Sequence, residues 1–133
     1  MTSLAGPLIA FSGSRDFDDW TLVEKVMRRL VKKYSVCLIR VGDARGLDLM
    51  VAQEATRWGK WPDVQKCNWP PPGSSKQERW QAAHERNGRV VRDADMLIAF
   101  YAPGPKSPGT TDAVDQARKR GIPVHVYHEG RWT

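Results

Sequence analysis

The sequence predicts a Rossmann-like α/β fold, a three-layer sandwich in which helices cover both faces of a parallel sheet of about five strands. Short apolar runs of strand length alternate with helix-compatible segments in the order βαβαβαβαβ, which is the pattern of a doubly wound sheet. The apolar runs are continuous, as expected of strands buried on both faces. A length of 133 residues suffices for one such sheet with its helices, so we expect a single domain over residues 1–133.

The first half of the chain supplies three strands and two helices. In order, we predict a strand over 8–12, a helix from Trp20, a strand over 36–41, a helix over 47–58 and a less regular strand over 64–69. The first helix has the clearest pattern, because apolar residues recur at intervals of three and four from Val23 to Tyr34. Either Asp18 or Asp19 can serve as its N-cap.

The second half alternates proline-rich loops with two more helices and two more strands. In order, we predict a loop over 70–75, a helix over 76–93, a strand over 96–101, a loop over 102–109, a helix ending at Arg120 and a strand over 122–127. Thr110 or Thr111 is expected to cap the last helix at its start, and Gly121 at its end. The tail from His128 is expected to be peripheral.

The composition indicates a cytoplasmic globular protein. Hydrophobic residues make up 41% and charged residues 27% of the chain. No apolar run approaches the roughly 18–20 residues of a membrane span, and the N-terminal segment lacks the basic residues that precede a signal peptide's apolar stretch. Cys37 and Cys67 are expected to be reduced core residues. Histidine and cysteine nowhere show zinc spacing, so no metal site is expected.

The formal net charge of +6 favours anionic partners, among them phosphates, nucleotides and nucleic acids. Basic residues cluster at 28–33 and at 118–120, both on predicted helices. A solvated helix face is the commoner explanation of such a cluster, and a nucleic-acid-binding patch is the alternative.

Three polar, glycine-containing segments are predicted to meet at one edge of the sheet. Residues 12–15, 42–48 and 108–112 each follow or lie just beyond a predicted strand, and ligands of doubly wound folds bind beyond the carboxyl ends of the strands. Glycine lets backbone N–H groups approach an anion, hydroxyls can donate to it, and arginine can clamp it. The two later segments also open helices, whose N-termini favour anions. Neither GxxxxGK[ST] nor GxGxxG is present.

Each segment also has a plain structural explanation. Residues 12–15 fit an ordinary βα turn, and residues 108–112 fit a threonine N-cap. Asp48 either caps the second helix or accepts a ribose hydroxyl, and Asp43 can do either or pair with Arg45. Trp69 can stack on a base, whereas the other tryptophans are expected in core, surface or oligomer packing.

The order of the short motifs resembles a known family. The motifs are GSR at 13–15, GDARGLD at 42–48, NW at 68–69, ERN at 85–87, RDAD at 92–95 and PGTTD at 108–112. Together they resemble the YspA-like branch of the SLOG superfamily, which also holds the Lonely Guy phosphoribohydrolases and the DNA-processing protein of natural transformation. The resemblance extends over about residues 8–127.

The resemblance implies a Rossmannoid domain that binds a nucleotide or a nucleotide-derived phosphate. It brings Arg86 and Asn87, which composition alone assigns to a helix surface, into the candidate site. The candidate ligand-binding residues are Gly13, Ser14, Arg15, Gly42, Asp43, Arg45, Gly46, Asp48, Trp69, Arg86, Asn87, Gly109, Thr110, Thr111 and Asp112. Because the superfamily often forms dimers, a homo-oligomer is expected. No cofactor is required, although a nucleotide can bring Mg²⁺ with it.

The sequence departs from the phosphoribohydrolases at their catalytic motif. Their PGGxGTxxE ends in a glutamate that serves catalysis, whereas Ala113 stands at that position here and Asp112 lies one residue earlier. Catalytic residues are therefore unassigned, with Arg86, Asp112 and Asp48 as candidates.

Three functions follow as hypotheses. The first is binding or sensing of a nucleotide-derived ligand at the carboxyl edge of the sheet. The second is a nucleoside monophosphate phosphoribohydrolase, in which Arg86 holds the phosphate and Asp112 or Asp48 steadies the ribosyl cation. The third is a single-stranded nucleic-acid-binding module, suggested by the net charge of +6. For any ligand site at this edge, Arg15 and Arg86 are expected at the rim, and the backbone angles of Gly42 are expected to require glycine.

Overall fold

A computed structural model describes residues 6–133, which form one sheet of six strands and four helices. The elements are β1 Leu8–Gly13, α1 Trp20–Lys33, β2 Leu38–Gly42, α2 Leu47–Arg57, β3 Asp63–Gln65, α3 Lys76–Val91, β4 Met96–Phe100, α4 Pro108–Lys119, β5 Val124–His128 and β6 Arg131–Trp132. Residues 1–5, on which the prediction about a signal peptide partly depends, lie outside the described residues.

The strand order is β3-β2-β1-β4-β5-β6, and all neighbouring pairs are parallel except β5 and β6. The chain winds outward from β1 to β3 and then returns to place β4 on the other side of β1. The winding therefore reverses between β1 and β4, as in Rossmann-like folds. The predicted fold class, an α/β sandwich with a parallel sheet of about five strands, is confirmed.

Both faces of the sheet are buried, and the side chains of β4 illustrate how. Ile98 and Phe100 belong to the apolar core that α1 and α2 cover. Leu97 and Ala99 point the other way, into the core that α3 and α4 cover. The alternation follows from the two-residue period of a strand, and burial of both sets explains why the strand sequence is continuously apolar.

The starts of the helices show which capping predictions hold. Asp19 caps α1, since its side chain accepts a 3.1 Å hydrogen bond from the N–H of Leu22. At α4 the threonine prediction is wrong, because Ser107 is the N-cap and Pro108 the first helical residue. Proline suits that position since its φ is already helical and its missing N–H is not needed there. Thr110 and Thr111 therefore lie inside the helix.

The third strand is shorter than predicted and ends before Trp69. Only Asp63–Gln65 pairs with β2, because β2 itself ends at Gly42. Beyond that point other groups satisfy the backbone of the chain: Arg89 donates to the carbonyl of Lys66, and the N–H of Cys67 donates to the carboxylate of Asp43. Trp69 consequently stands on a loop.

The C-terminal tail lies at the exposed edge of the sheet, as expected, but it forms a hairpin that was not predicted. Glu129 and Gly130 both have positive φ and form the tight turn of a hairpin between β5 and β6. The turn brings the ring of Trp132 to 5.5 Å from that of Phe100 and 5.3 Å from that of Tyr127, measured between ring centroids. The sixth strand therefore covers the aromatic end of the core.

Other compositional predictions concern the cysteines, the basic clusters and the membrane. Cys37 and Cys67 are free and buried, as predicted. The basic residues at 28–29, 32–33 and 118–120 are exposed on or next to α1 and α4. None of the helices within residues 6–133 is long and apolar enough to cross a bilayer.

Candidate functional site

A cavity of about 570 Å³ opens where the winding of the sheet reverses. It is bounded by the ends of β1 and β2, by one face of α3 and by the start of α4. Ten of the fifteen candidate residues line it: Gly13, Ser14, Arg15, Gly42, Asp48, Trp69, Arg86, Asn87, Gly109 and Thr110. Sequence reasoning therefore located the edge of the sheet where the cavity lies.

Five candidate residues do not line the cavity: Asp43, Arg45, Gly46, Thr111 and Asp112. Thr111 turns away from it, since its hydroxyl bonds that of Tyr101 at 2.7 Å. Arg45 is exposed on the loop before α2. Asp43 and Asp112 each bond a lining residue, Arg86 and Asn87 respectively. Gly46 lies against the backbone of Arg15, since a Cβ built on it would lie 2.3 Å from the carbonyl oxygen of Arg15.

Hydroxyl groups join the end of β1 to the start of α4. The Oγ of Ser14 accepts the N–H of Ala102 at 3.1 Å and lies 3.0 Å from the Oγ of Ser107, which in turn donates to the Oγ1 of Thr110 at 3.1 Å. The single hydroxyl proton of Ser107 is used in the bond to Thr110. In its bond with Ser14, Ser107 is therefore the acceptor and Ser14 the donor. Ser107 was not among the predicted site residues, because residues 102–109 were predicted to form a loop and a threonine was predicted to cap α4.

The first turn of α4 presents backbone donors to the cavity. Within the described part of the chain, no side chain caps this helix, because Ser107 bonds Thr110 instead. The space above Gly109 is open, since a Cβ built there would meet nothing within 4 Å. The first N–H groups of a helix lack intrahelical partners and carry a partial positive charge, so this end of the cavity suits an anion.

Arg86 is buried rather than at the rim, which corrects the sequence-based expectation. Its Nη1 donates to the Oδ1 of Asp43 at 2.6 Å, and its Nε donates to the Oδ1 of Asn87 at 3.1 Å. Asp43 therefore pairs with Arg86 rather than with Arg45. The guanidinium is held from two sides because α3 packs across the end of β2, and this fixes the part of Arg86 that faces the cavity.

Asp112 is fully engaged by its neighbours. Its carboxylate bonds the Nδ1 of His84 at 2.8 Å, the Nδ2 of Asn87 at 3.0 Å and the Nε2 of Gln116 at 3.0 Å. Asn87 also donates to the carbonyl of Gly109 at 3.2 Å. Asp112 thus positions Asn87 between α3 and α4. His84, which was not predicted to belong to the site, is part of this network.

Asp48 is a buried carboxylate in the wall of the cavity, 5% exposed. Its Oδ2 accepts the N–H of Ala44 at 3.1 Å, whereas its Oδ1 has no hydrogen-bond partner among the described residues. It is not a helix cap, because Gly46 is the N-cap of α2 and Ala44 lies before the helix. Burial raises the pKa of Asp48 from 3.8 to about 7.

Exposed aromatic and basic side chains surround the mouth. The guanidinium of Arg15 lies 6.0 Å from the ring centre of Trp69. Lys76, Arg79 and Trp80 also line the cavity, and sequence reasoning did not select them. A signal was available, because the cavity-facing residues of α3 recur every three or four positions from Lys76 to Val90.

Gly42 is required for a different reason from the one predicted. It is not among the residues with positive φ. Instead, a Cβ built on it would lie 2.7 Å from the Oδ2 of Asp48 and 3.1 Å from the Nη1 of Arg86. Close approach of these two charged side chains, rather than backbone angle, is what requires a glycine here.

The charges around the cavity favour an anion over a cation. Its lining contains four basic side chains, those of Arg15, Lys76, Arg79 and Arg86, and two acidic ones, those of Asp16 and Asp48. Residues 6–133 contain no group of three or more histidine, cysteine, aspartate and glutamate side chains placed to hold a metal ion.

Two solved structures resemble the fold. UDP-GlcNAc 2-epimerase from Neisseria meningitidis, bound to UDP-GlcNAc, matches with a TM-score of 0.52 and 18% identity, over 90% of this chain and 31% of that chain. A second UDP-N-acetylglucosamine 2-epimerase matches with a TM-score of 0.50 and 18% identity, over 97% of this chain and 32% of that chain. The chain thus spans about a third of the length of each epimerase. At this identity the likeness shows the Rossmann-like fold alone. Comparisons of the sequence with family models and with curated proteins find no match.

Proposed function

We propose that the cavity binds a nucleotide or a nucleotide-derived phosphate. One observation carries this proposal. The uncapped first turn of α4 and several basic side chains line the same cavity, at the point where the winding of the sheet reverses. A volume of about 570 Å³ lies within the range of small-ligand sites, which is roughly 300–1,000 Å³.

The phosphate belongs at the α4 end of the cavity. Backbone N–H groups there favour an anion, and the chain of hydroxyls from Ser14 to Thr110 holds this turn against β1. Arg15, Lys76 and Arg79 add positive charge at the mouth. The site thus combines backbone donors with exposed cations, which suits a phosphate ester.

The base belongs beside the tryptophans. Trp69 and Trp80 both line the cavity and are 49% and 44% exposed. Half-exposed rings offer a face on which a purine or pyrimidine can stack. The guanidinium of Arg15 lies 6.0 Å from the ring centre of Trp69, which supports a role for Arg15 beside a stacked base.

Two further points support the proposal. The motif order resembles the YspA-like branch of the SLOG superfamily, and we propose that the chain is a member of it. One structural neighbour was solved with a nucleotide sugar, UDP-GlcNAc, so nucleotide sugars belong in any ligand screen.

A second candidate function, cleavage of an N-glycosidic bond, is favoured by Asp48. A carboxyl group with a pKa of about 7 in the wall of the cavity is suited to proton transfer near neutral pH. Asp112 is a weaker candidate because three hydrogen bonds already occupy its carboxylate.

A thermal-shift screen tests the proposal. The panel contains nucleoside mono-, di- and triphosphates, ADP-ribose, UDP-GlcNAc and cyclic nucleotides, and mass spectrometry measures any released base. A ligand at about 100 times its Kd stabilises the fold by roughly 2.7 kcal/mol. A shift with intact ligand supports binding, and base release that Asp48→Asn abolishes supports the enzyme. No shift with any member contradicts the proposal.

A further inference from the structure

We propose that Asp48 accepts a hydrogen bond from a ribose hydroxyl of the ligand, so that the cavity selects ribonucleotides over their dideoxy counterparts. This inference rests on the proposed function of the cavity. It adds the group by which the site recognises the sugar.

One carboxylate oxygen of Asp48 has no hydrogen-bond partner among the described residues. Asp48 lines the cavity, and the N–H of Ala44 fixes its Oδ2. Its Oδ1 is buried and, among the described residues, has no hydrogen-bond partner. A buried polar atom without a partner is destabilising and rare in native proteins. A hydrogen-bond donor on the ligand would pair with Oδ1, for which the described residues provide no donor.

The neighbouring arginine does not take this role. The Nη1 of Arg86 donates to Asp43, and its Nε donates to Asn87. Arg86 therefore lowers the pKa of Asp48 through charge without a hydrogen bond to its Oδ1. An ionised carboxylate only accepts hydrogen bonds, so the ligand group must be a donor such as a hydroxyl.

The position of Asp48 indicates a sugar rather than a phosphate. A phosphate beside Asp48 would be repelled by its negative charge, whereas the first turn of α4 attracts one. Asp48 lies beyond β2 and α4 follows β4, and β1 separates these strands. Two strand spacings amount to roughly 10 Å. A sugar phosphate can bridge that separation with a hydrogen bond at each end.

The ionisation of Asp48 links this recognition to pH. Three charged side chains act on it: Arg86 from α3 and Arg15 from the loop after β1 favour the carboxylate, and Asp43 opposes it. Burial outweighs these charges and raises the pKa of Asp48 to about 7. Because the ionised form accepts the hydroxyl most strongly, the preference for ribonucleotides should be larger at pH 8 than at pH 6.

The test compares dissociation constants by calorimetry at pH 8. The probes are the four ribonucleoside mono- and triphosphates and their 2′,3′-dideoxy counterparts. A hydrogen bond to a charged group predicts that the wild-type protein binds the ribo form roughly tenfold or more tightly. In Asp48→Ala neither a donor nor an acceptor remains at this position, so the preference should vanish. Asp16→Ala removes the other acidic side chain of the same cavity and should keep the preference.

Each other outcome overturns a defined part of the account. Equal binding of ribo and dideoxy forms to the wild-type protein, which needs no variant, overturns hydroxyl recognition and leaves the phosphate site standing. A preference that persists in Asp48→Ala overturns the role of Asp48. Failure of every probe to bind, together with no shift in the wider thermal-shift panel, overturns both the proposed function and this inference.

Discussion

The Nη1 of Arg86 and the Oδ1 of Asp43 form a 2.6 Å ion pair that joins α3 to the loop after β2. The arginine side chain is 9% exposed and that of the aspartate 28%. The same guanidinium holds Asn87 and contributes to the wall of the cavity. Arg86 therefore serves the fold as well as the candidate site.

Arg86→Ala should lower the free energy of unfolding by about 3 kcal/mol, because it leaves Asp43 without its cation and Asn87 without a donor. Urea denaturation measures the change. Arg79→Ala is the control, since Arg79 is exposed at the mouth of the same cavity and its loss should change stability by less than about 0.5 kcal/mol. Equal stability of the two variants would show that the ion pair contributes nothing.

Arg15→Ala should weaken nucleotide binding roughly tenfold with little loss of stability. Arg15 is exposed, lines the cavity and lies near the ring of Trp69, and a charged hydrogen bond to phosphate contributes about 1.5–3 kcal/mol. Arg45→Ala removes an exposed arginine that does not line the cavity. Calorimetric affinities that fall equally in both variants would indicate only a general charge effect.

The fold was predictable because its signals are local. Continuous apolar runs identified the strands, and period-3.6 spacing identified α1, so the order of the first five strands and four helices followed. The C-terminal hairpin was missed because Glu129-Gly130 is a weaker turn signal than Asn-Gly or Asp-Gly. The end of β3 was predicted too late in the chain. It is set by hydrogen bonding to β2, whose last paired residue is Gly42, and this pairing is not visible in the sequence of β3 alone.

Residues at or just after the ends of strands, such as Ser14 and Gly42, were predictable from the sequence, and the family resemblance added Arg86 and Asn87. Lys76, Arg79 and Trp80 reach the cavity because α3 crosses the sheet edge, which sequence spacing does not specify. The partner of Asp43 is 43 residues away, so a neighbouring arginine was the natural but wrong choice.

Gly46→Ala should destabilise the protein more than Gly59→Ala by about 2 kcal/mol. Both glycines have positive φ, 76° and 75°, and the ψ of −126° at Gly46 adds strain for an alanine there. A Cβ at Gly46 would lie 2.3 Å from the carbonyl oxygen of Arg15, whereas at Gly59 nothing lies within 4 Å. Thermal denaturation measures both variants. Equal melting temperatures would mean that the loop after β1 shifts to accommodate the added methyl group with no measurable loss of stability.

Asp48→Asn should stabilise the protein increasingly as pH rises from about 4 to about 7. Because the pKa of Asp48 is raised from 3.8 to about 7, the folded state keeps a proton that the unfolded state releases in this interval. The contribution of Asp48 to stability therefore falls with rising pH, by up to about 1.4 kcal/mol per unit. Asparagine does not titrate, so the stability gap between variant and wild type should widen and then level off above pH 7.

Urea denaturation at pH 5, 6, 7 and 8 measures that gap. Asp115→Asn, at an exposed position on α4, controls for the loss of one negative charge. A gap for Asp48→Asn that stays constant with pH would mean that the pKa of Asp48 is close to its ordinary value.

The most direct test of the phosphate site is a titration of ¹⁵N-labelled protein with ribonucleoside mono- and triphosphates, followed by amide chemical shifts. The account predicts shifts concentrated at residues 13–16, 42–48 and 107–110, with the N–H groups of the first turn of α4 among the largest. Shifts confined to the basic faces at 28–33 and 118–120, or no shifts at millimolar ligand, would contradict it.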